Sequence, residues 1–568
     1  MNLSKNILFF ALLISLYVQS QSLTTQQNKY IDSLTAHWNQ PIHPGGAIAF
    51  IQNGKTILQK VAGTANIDKQ QPITEETSFQ LAQLSDSFIA FALIQLHQEK
   101  KLSLDNKLSL YFPDFKKFKQ KLTIKNLLQQ SSGIHDFEIL KNIAGWRDTD
   151  HFSKEDALHL IRNQQSLSFI PGTEFSYSRS NMLLASMLIE KASKMPFEKY
   201  MEEQVFTPLG MKNTFVINAA NQNTKNLAQS YRIQDNDITL IPSLKETYAG
   251  INIASSLSDM ILWEKNLASP NSKTQEIVTL FSSFVQLNNG LEYKAPRGTL
   301  MYGQRYVHKE RGLETIMSTG GIDGYASTIF NFPTEKFTAI VLSNNGEPYN
   351  GYIGMLSAHS ILGNKFTEPF SIDFSTIRSI PIDQNYHRQF EGFYWDAIGE
   401  ISREIRIEND TLRYIRPNQS TALIPISKNK FQMKTDFDDK IFLTFSKDAK
   451  NKVSMSFAFG DATPFEFIKY TPKTLTQKDL QSKYSGEYYC KEIGIGYHFE
   501  AKDNKLISSN VKSDTMTFSP IKQEIFSGDQ WYMQSIEFRV NSEGIVEGFY
   551  VRNDAIRNLW FEKIKNHK

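Results

Sequence analysis

The chain has 568 residues, with 62 Lys and Arg against 59 Asp and Glu and a formal net charge of +3. That balance gives no ground for nucleic acid or an anionic membrane surface as partner. The single cysteine, Cys490, excludes an intramolecular disulfide, so stability must come from apolar cores, and at roughly 150 residues per domain the length predicts three or so of them.

The chain opens on export signals. Lys5 precedes an apolar run from Ile7 to Val18 that closes on Val18-Gln19-Ser20 and is too short to span a bilayer, so residues 1–20 are predicted to be a cleaved signal peptide. No cysteine follows to take a lipid, and no later stretch reaches the roughly 18 apolar residues of a membrane helix. The expected product is exported, periplasmic or extracellular, soluble after cleavage, and carries +2 once Lys5 is lost from the +3 total.

Residues 24–365 mix short apolar strands with long helices, the pattern of an α+β domain. Gly45 to Ile51 followed by Asn53-Gly54 predicts a strand and a tight hairpin turn. Ser87 to Gln98 is apolar on nearly every side, which predicts a helix buried at the centre of its domain. Further helices are predicted near Lys154–Asn163, Ser180–Ser193 and Ser256–Leu267, and strands near Ser327–Phe332 and Thr338–Ser343.

After a linker around Pro369 to Gln384 the pattern becomes strand-like, as in Glu404-Ile405-Arg406-Ile407 and Ser535 to Val540. An internal repeat runs through it. Phe390-Glu391-Gly392-Phe393-Tyr394 matches Tyr484-Ser485-Gly486-Glu487-Tyr488, then Leu412 matches Leu506, Pro425 matches Pro520, Phe431 matches Phe526, and Phe467 with Lys469 matches Phe561 with Lys563, at a constant offset of 94 or 95. Two copies of one small antiparallel β-barrel are therefore expected, at 385–470 and 478–568. The pattern resembles the lipocalin-like domains appended to penicillin-recognising hydrolases.

Within residues 24–365, Leu127 to Ile134 (LLQQSSGI), Pro171 to Ser178 (PGTEFSYS), Pro208-Leu209-Gly210-Met211, Ala249-Gly250-Ile251 leading to Ser258-Asp259-Met260, and Thr319 to Tyr325 (TGGIDGY) follow in a characteristic order. Together they resemble the serine β-lactamase and D-Ala-D-Ala carboxypeptidase superfamily, especially its class C-like members. The resemblance implies three catalytic elements around one cleft: a Ser-x-x-Lys opening the central helix, a Tyr-x-Asn, and a His-x-Gly or Lys-Thr-Gly on an edge strand that also offers backbone donors to the oxyanion.

All three are altered. Alignment through Phe79-Gln80-Leu81-Ala82 puts Gln83 at the nucleophile position and Asp86 at the lysine position, and neither Ser85 nor Ser87 has a lysine three residues on. Tyr177-Ser178-Arg179 keeps the tyrosine but replaces the amide by a guanidinium. Ser318-Thr319-Gly320 keeps the glycine and loses the basic residue, and Gln130 stands where a histidine is usual. Gln83, Asp86, Tyr177, Arg179, Ser318, Thr319 and Gly320 are the candidate cleft residues; no cofactor and no metal is expected.

Asp86 and Arg179 occupy positions whose family counterparts touch. Two readings stand: an inverted ion pair that plugs the pocket, or Asp86 serving the helix dipole while Arg179 reaches solvent. Tyr177 reads as a cleft wall, and His135-Asp136 as loop polarity. Tyr488, Tyr489, Trp531 and Tyr532 read as filling of the second barrel, Cys490 as an inert strand residue, and Asn418-Gln419-Ser420 as a sequon without weight. The function expected first is an inactive hydrolase relative that binds a peptide-like or small amide or ester ligand. The alternatives are an active serine hydrolase with relocated chemistry, using Ser85, Ser318 or another hydroxyl helped by Tyr177, and a scaffold whose β repeats bind a protein partner.

Overall fold

The computed structural model describes residues 22–564 apart from 120, 148–149, 219–220, 222–225, 236, 243–251, 296–297, 323, 370–372, 417–418, 436–439, 461, 511, 513–514 and 523. The predicted signal peptide, Ala249-Gly250-Ile251, Asp323 and Asn418 lie outside the described residues.

The expected α+β domain is built on an eight-stranded sheet. Its order is Lys294–Ala295, Gly298–Met301, Arg305–Glu310, Leu313–Ile322, Tyr325–Phe332, Phe337–Ser343, Gly46–Gln52 and Lys55–Ala62. The first hairpin turns where Asn53 and Gly54 both take positive φ, as a tight turn requires. Gly46–Gln52 is buried on both faces because helix Pro348–Leu362 packs on one side of the sheet and helix Leu257–Ala268 on the other.

The apolar-all-round segment is helix Ser85–Gln98, buried from Ser85 through Ile94. Phe88 lies 4.3 Å from Trp263 and 5.7 Å from Phe206, ring centre to ring centre, so aromatic packing fixes this helix against its neighbours. Helix Arg179–Ser193 lies alongside it. Among the described residues no helix is long and apolar enough to cross a membrane.

The repeat resolves into two closed eight-stranded antiparallel barrels, Gly392–Asp396 through Phe465–Tyr470 and Gly486–Cys490 through Leu559–Lys563. Its landmark residues do the same job twice. Gly392 (φ +130°) and Gly486 (φ +133°) adopt backbone that favours glycine, and a Cβ at either would meet the stem of Lys469 or Lys563. Those lysines donate to the carbonyls of Gln389 and Lys483, and Tyr394 and Tyr488 donate to Phe390 and Tyr484 four residues back.

One expectation for the second barrel needs correction. Tyr488 is core, but Tyr489 is 43% and Trp531 56% exposed. Strand alternation turns Tyr489 outward as it turns Tyr488 inward, and Trp531 opens a 3-10 turn, Trp531–Met533, that is not part of a barrel strand. Cys490 is buried, and burial pushes its thiol up to about 12, as an inert strand residue requires.

Candidate functional site

The turn before the central helix sets the site. Leu81 is held by its N–H to the Ile253 carbonyl, Ala82 takes φ +49°, and a 3-10 turn Ala82–Leu84 delivers Gln83 towards strand Leu313–Ile322. A non-glycine residue at positive φ is strained, and such strain collects where a side chain must be aimed. Gly320 explains its own retention: a Cβ there would stand 2.0 Å from the Leu81 carbonyl oxygen. Strand and turn therefore touch through backbone, and Ser318, buried and two residues away, shares the face of Gly320. Thr319 faces the opposite way, across from Thr328 in the next strand.

Gln83 then closes the gap. Its Oε1 accepts a hydrogen bond from the Gly321 N–H at 2.9 Å. The strand's backbone donor is thus occupied by an amide oxygen of the chain itself. Gly321 is exposed, so the contact sits at the mouth and not in the interior.

Behind it, Asp86 is buried, and neither carboxylate oxygen has a partner that meets hydrogen-bond geometry. Burial raises its pKa well above the ordinary carboxylate value, against the weaker opposing effects of the Tyr177 hydroxyl and then Arg179. Tyr177 presents a partly exposed ring and a buried hydroxyl, likewise without a geometric partner. Burial, then the neighbouring Asp86, raises its pKa well above the usual phenol range.

The expected Asp86–Arg179 pair is not what forms, and Arg179 does not reach freely into solvent either. Among the described residues no ion pair within 4.0 Å joins the two. Burial opposes the charge on Arg179, but the acids around it outweigh burial, Asp136 ahead of Glu138 and Asp86. Asp136 also accepts from the Arg179 N–H at 2.6 Å. The reason is local. Asp136 N-caps helix Phe137–Ile143, accepting from Glu138 and Ile139 N–H, which fixes a carboxylate beside the start of helix Arg179–Ser193.

Neither the capping role of Asp136 nor its hydrogen bond from a backbone N–H 43 residues away was read from the sequence. The loop-polarity reading of His135-Asp136 is likewise overturned, since both are buried. Their backbone is held instead by Gln164 and Ser180, the latter donating to the His135 carbonyl at 2.7 Å. Gln130 is buried too, and its Oε1 accepts from the Ser178 N–H at 3.0 Å and from Asn181. It braces the tyrosine segment.

Burial pushes His135 down from 6.5 to about 4. The unfolded chain takes up a proton near pH 6.5 that the folded chain refuses until about pH 4, so stability is full above the first value and falls as pH drops towards the second. Urea titrations across that window are expected to show the loss, and His135→Gln to flatten it. An equal slope in both proteins would contradict the assignment.

The hydroxyls considered for relocated chemistry are engaged or enclosed. Ser85 is wholly buried and accepts from the Ile253 N–H, Ser318 is buried, and the nearby Ser87 donates to the Gly303 carbonyl at 2.8 Å. Among the described residues no cluster of His, Cys, Asp and Glu is arranged to hold a metal ion.

The second barrel forms the far side of the tyrosine segment. Ser176 donates to the Asp554 carbonyl at 2.7 Å, Ser168 to Ala555, and Asn558 to Leu167, while Arg557 pairs with Glu174 at 2.5 Å. Tyr497 reaches the Ile143 carbonyl at 2.8 Å. No sequence signal announced this seam.

Comparison with known proteins agrees with the geometry. The Beta-lactamase family pattern matches residues 31–355. Protein flp of Staphylococcus aureus (strain MW2) is 26% identical over 335 residues, 58% of this chain and 65% of its own length. A D-aminopeptidase of Brucella anthropi is 25% identical over 305 residues, 53% of this chain and 56% of its own length. The chain thus spans less than two thirds of either relative. Among solved structures, a penicillin-binding protein homologue from Pyrococcus abyssi, described as octameric, superposes with TM-score 0.54 at 21% identity over 78% of this chain and 99% of its own. A penicillin-binding protein from Bacillus halodurans superposes with TM-score 0.50 at 18% identity, over 60% of this chain and 100% of its own. At these identities the superpositions speak for the fold.

Proposed function

The chain belongs to the Beta-lactamase family, and on that premise we propose that it is an exported, catalytically inactive relative of the penicillin-recognising hydrolases, whose cleft holds a peptide-like or small amide or ester ligand without cleaving it. The observation that carries this reading is the Gln83 amide oxygen on the Gly321 N–H. An amide at the nucleophile position has no attacking atom, and here it also occupies a donor that would stabilise a developing oxyanion. Asp86 adds to the loss, because a buried carboxyl supplies no cation in place of the family lysine.

Binding remains open to such a site. The Nε2 group of Gln83 is not engaged by any described residue, so a ligand carbonyl can accept from it at the mouth. The name of the D-aminopeptidase relative supports a peptide-like ligand. Incubation of the full chain with a fluorescent penicillin or a fluorophosphonate, read by intact mass, is expected to give no adduct. A stoichiometric adduct that maps to the cleft would overturn the reading.

A further inference from the structure

A second site lies away from the cleft, where the rim of the first barrel faces helix Pro348–Leu362 across a cavity of about 480 Å³. That is within the size range that takes small organic ligands. Its lining includes Tyr352 from the helix and Arg413, Arg416, Lys434, Phe457 and Phe459 from the barrel. Tyr352 is 61% and Phe459 40% exposed, so two aromatic rings face this space with much of their surface uncovered.

The cations there are not equivalent. Arg413 is committed, with its Nε 3.3 Å from Glu408 and an Nη2 donor on the Ser420 carbonyl at 2.9 Å. Arg416 donates only to the Gln419 amide oxygen, and Lys434 has no ion pair among the described residues. No acidic residue is among the described lining. Two cations without a counter-charge among the described residues, beside exposed rings, match a ligand that brings both an anion and a flat apolar body.

We propose that this cavity binds an aromatic anion, a ring bearing a carboxylate, sulfonate or phosphate, with the charge on Arg416 and Lys434 and the ring against Tyr352 and Phe459. The site draws on two domains, so it forms only where barrel and helix meet. It does not depend on what the cleft binds. The connection 436–439, outside the described residues, carries Asp436, Asp438 and Asp439 in the sequence.

The test titrates the full chain with 1-naphthoate, with the neutral 1-naphthalenemethanol, and with inorganic phosphate, all at one ionic strength, by calorimetry. Saturable 1:1 binding of naphthoate is expected, at least tenfold tighter than the alcohol and not displaced by a tenfold excess of phosphate. Lys434→Glu and Tyr352→Ala should each weaken it about tenfold. Both side chains are exposed, so the thermal midpoint should hold, and a Gln83→Ala variant should bind as the parent does. Four results would each overturn the proposal: no naphthoate binding, equal affinity for the alcohol, displacement by phosphate, or full affinity in both rim variants.

Discussion

Replacing Asp86 with lysine alone is expected to cost about 3–5 kcal/mol of folding free energy, the usual scale for an uncompensated buried charge. The residue is buried and burial disfavours the charged form of its carboxyl, so the pocket suits an uncharged group there. A lysine would bring a cation into the same space as the Arg179 guanidinium, which Asp136 already keeps charged. The control is Asp86→Asn, which preserves shape, carries no charge and should change stability by no more than about 1 kcal/mol. Adding Arg179→Asn to Asp86→Lys removes the like charge and should recover on the order of 2 kcal/mol, a coupling typical of residues in one network. Urea denaturation of the parent, Asp86→Lys, Arg179→Asn and the double variant reads the cycle, with Asp86→Asn measured beside them. Strict additivity, or a lysine variant as stable as the parent, would contradict the pocket electrostatics described above.

The largest effect is expected from restoring the whole catalytic set. With Gln83→Ser, Asp86→Lys, Arg179→Asn and Ser318→Lys combined, a fluorescent penicillin should leave a covalent adduct on residue 83, where the parent leaves none. Groups that act as a unit are grossly non-additive, so sets lacking any one substitution should react slower by on the order of a thousandfold. The ground is geometric. Tyr177 and Gly320 are already in place, and removing the Gln83 amide frees the Gly321 N–H to meet an oxyanion. A fourfold variant that keeps the parent's circular dichroism and thermal midpoint yet forms no adduct would show that something beyond these four residues is missing.

What the sequence revealed and what it hid divide along a physical line. Helix Lys154–Asn163 was legible to the residue, because Ser153 caps it with Asp156 at the third position and its apolar face repeats at helical period. The barrels were legible as a repeat because their Gly, Tyr and Lys landmarks answer to backbone geometry that both copies must satisfy. The reading of Gln83 at the nucleophile position followed from residue type alone. The bond between Gln83 and Gly321 was not legible, because strand and turn are 238 positions apart. The surroundings of Arg179 stayed open between two readings for the same reason. Family alignment ranks partners by what their counterparts touch, whereas the fold ranks them by where helix ends converge, and Asp136 caps a helix that ends up against Arg179.

The seam between the second barrel and residues 165–176 changes what counts as a domain here. In the sequence the last barrel looks like a detachable bead after the catalytic fold. In the molecule Arg557, Asp554 and Asn558 hold the strip of chain that carries Tyr177, and the apolar core of the large domain runs on through that barrel as one cluster. Removing the bead would strip the cleft of its outer brace and bare core surface at once. The two units are therefore expected to share one cooperative melting transition, and a scanning-calorimetry trace with two separated transitions for the large domain and the last barrel would contradict it.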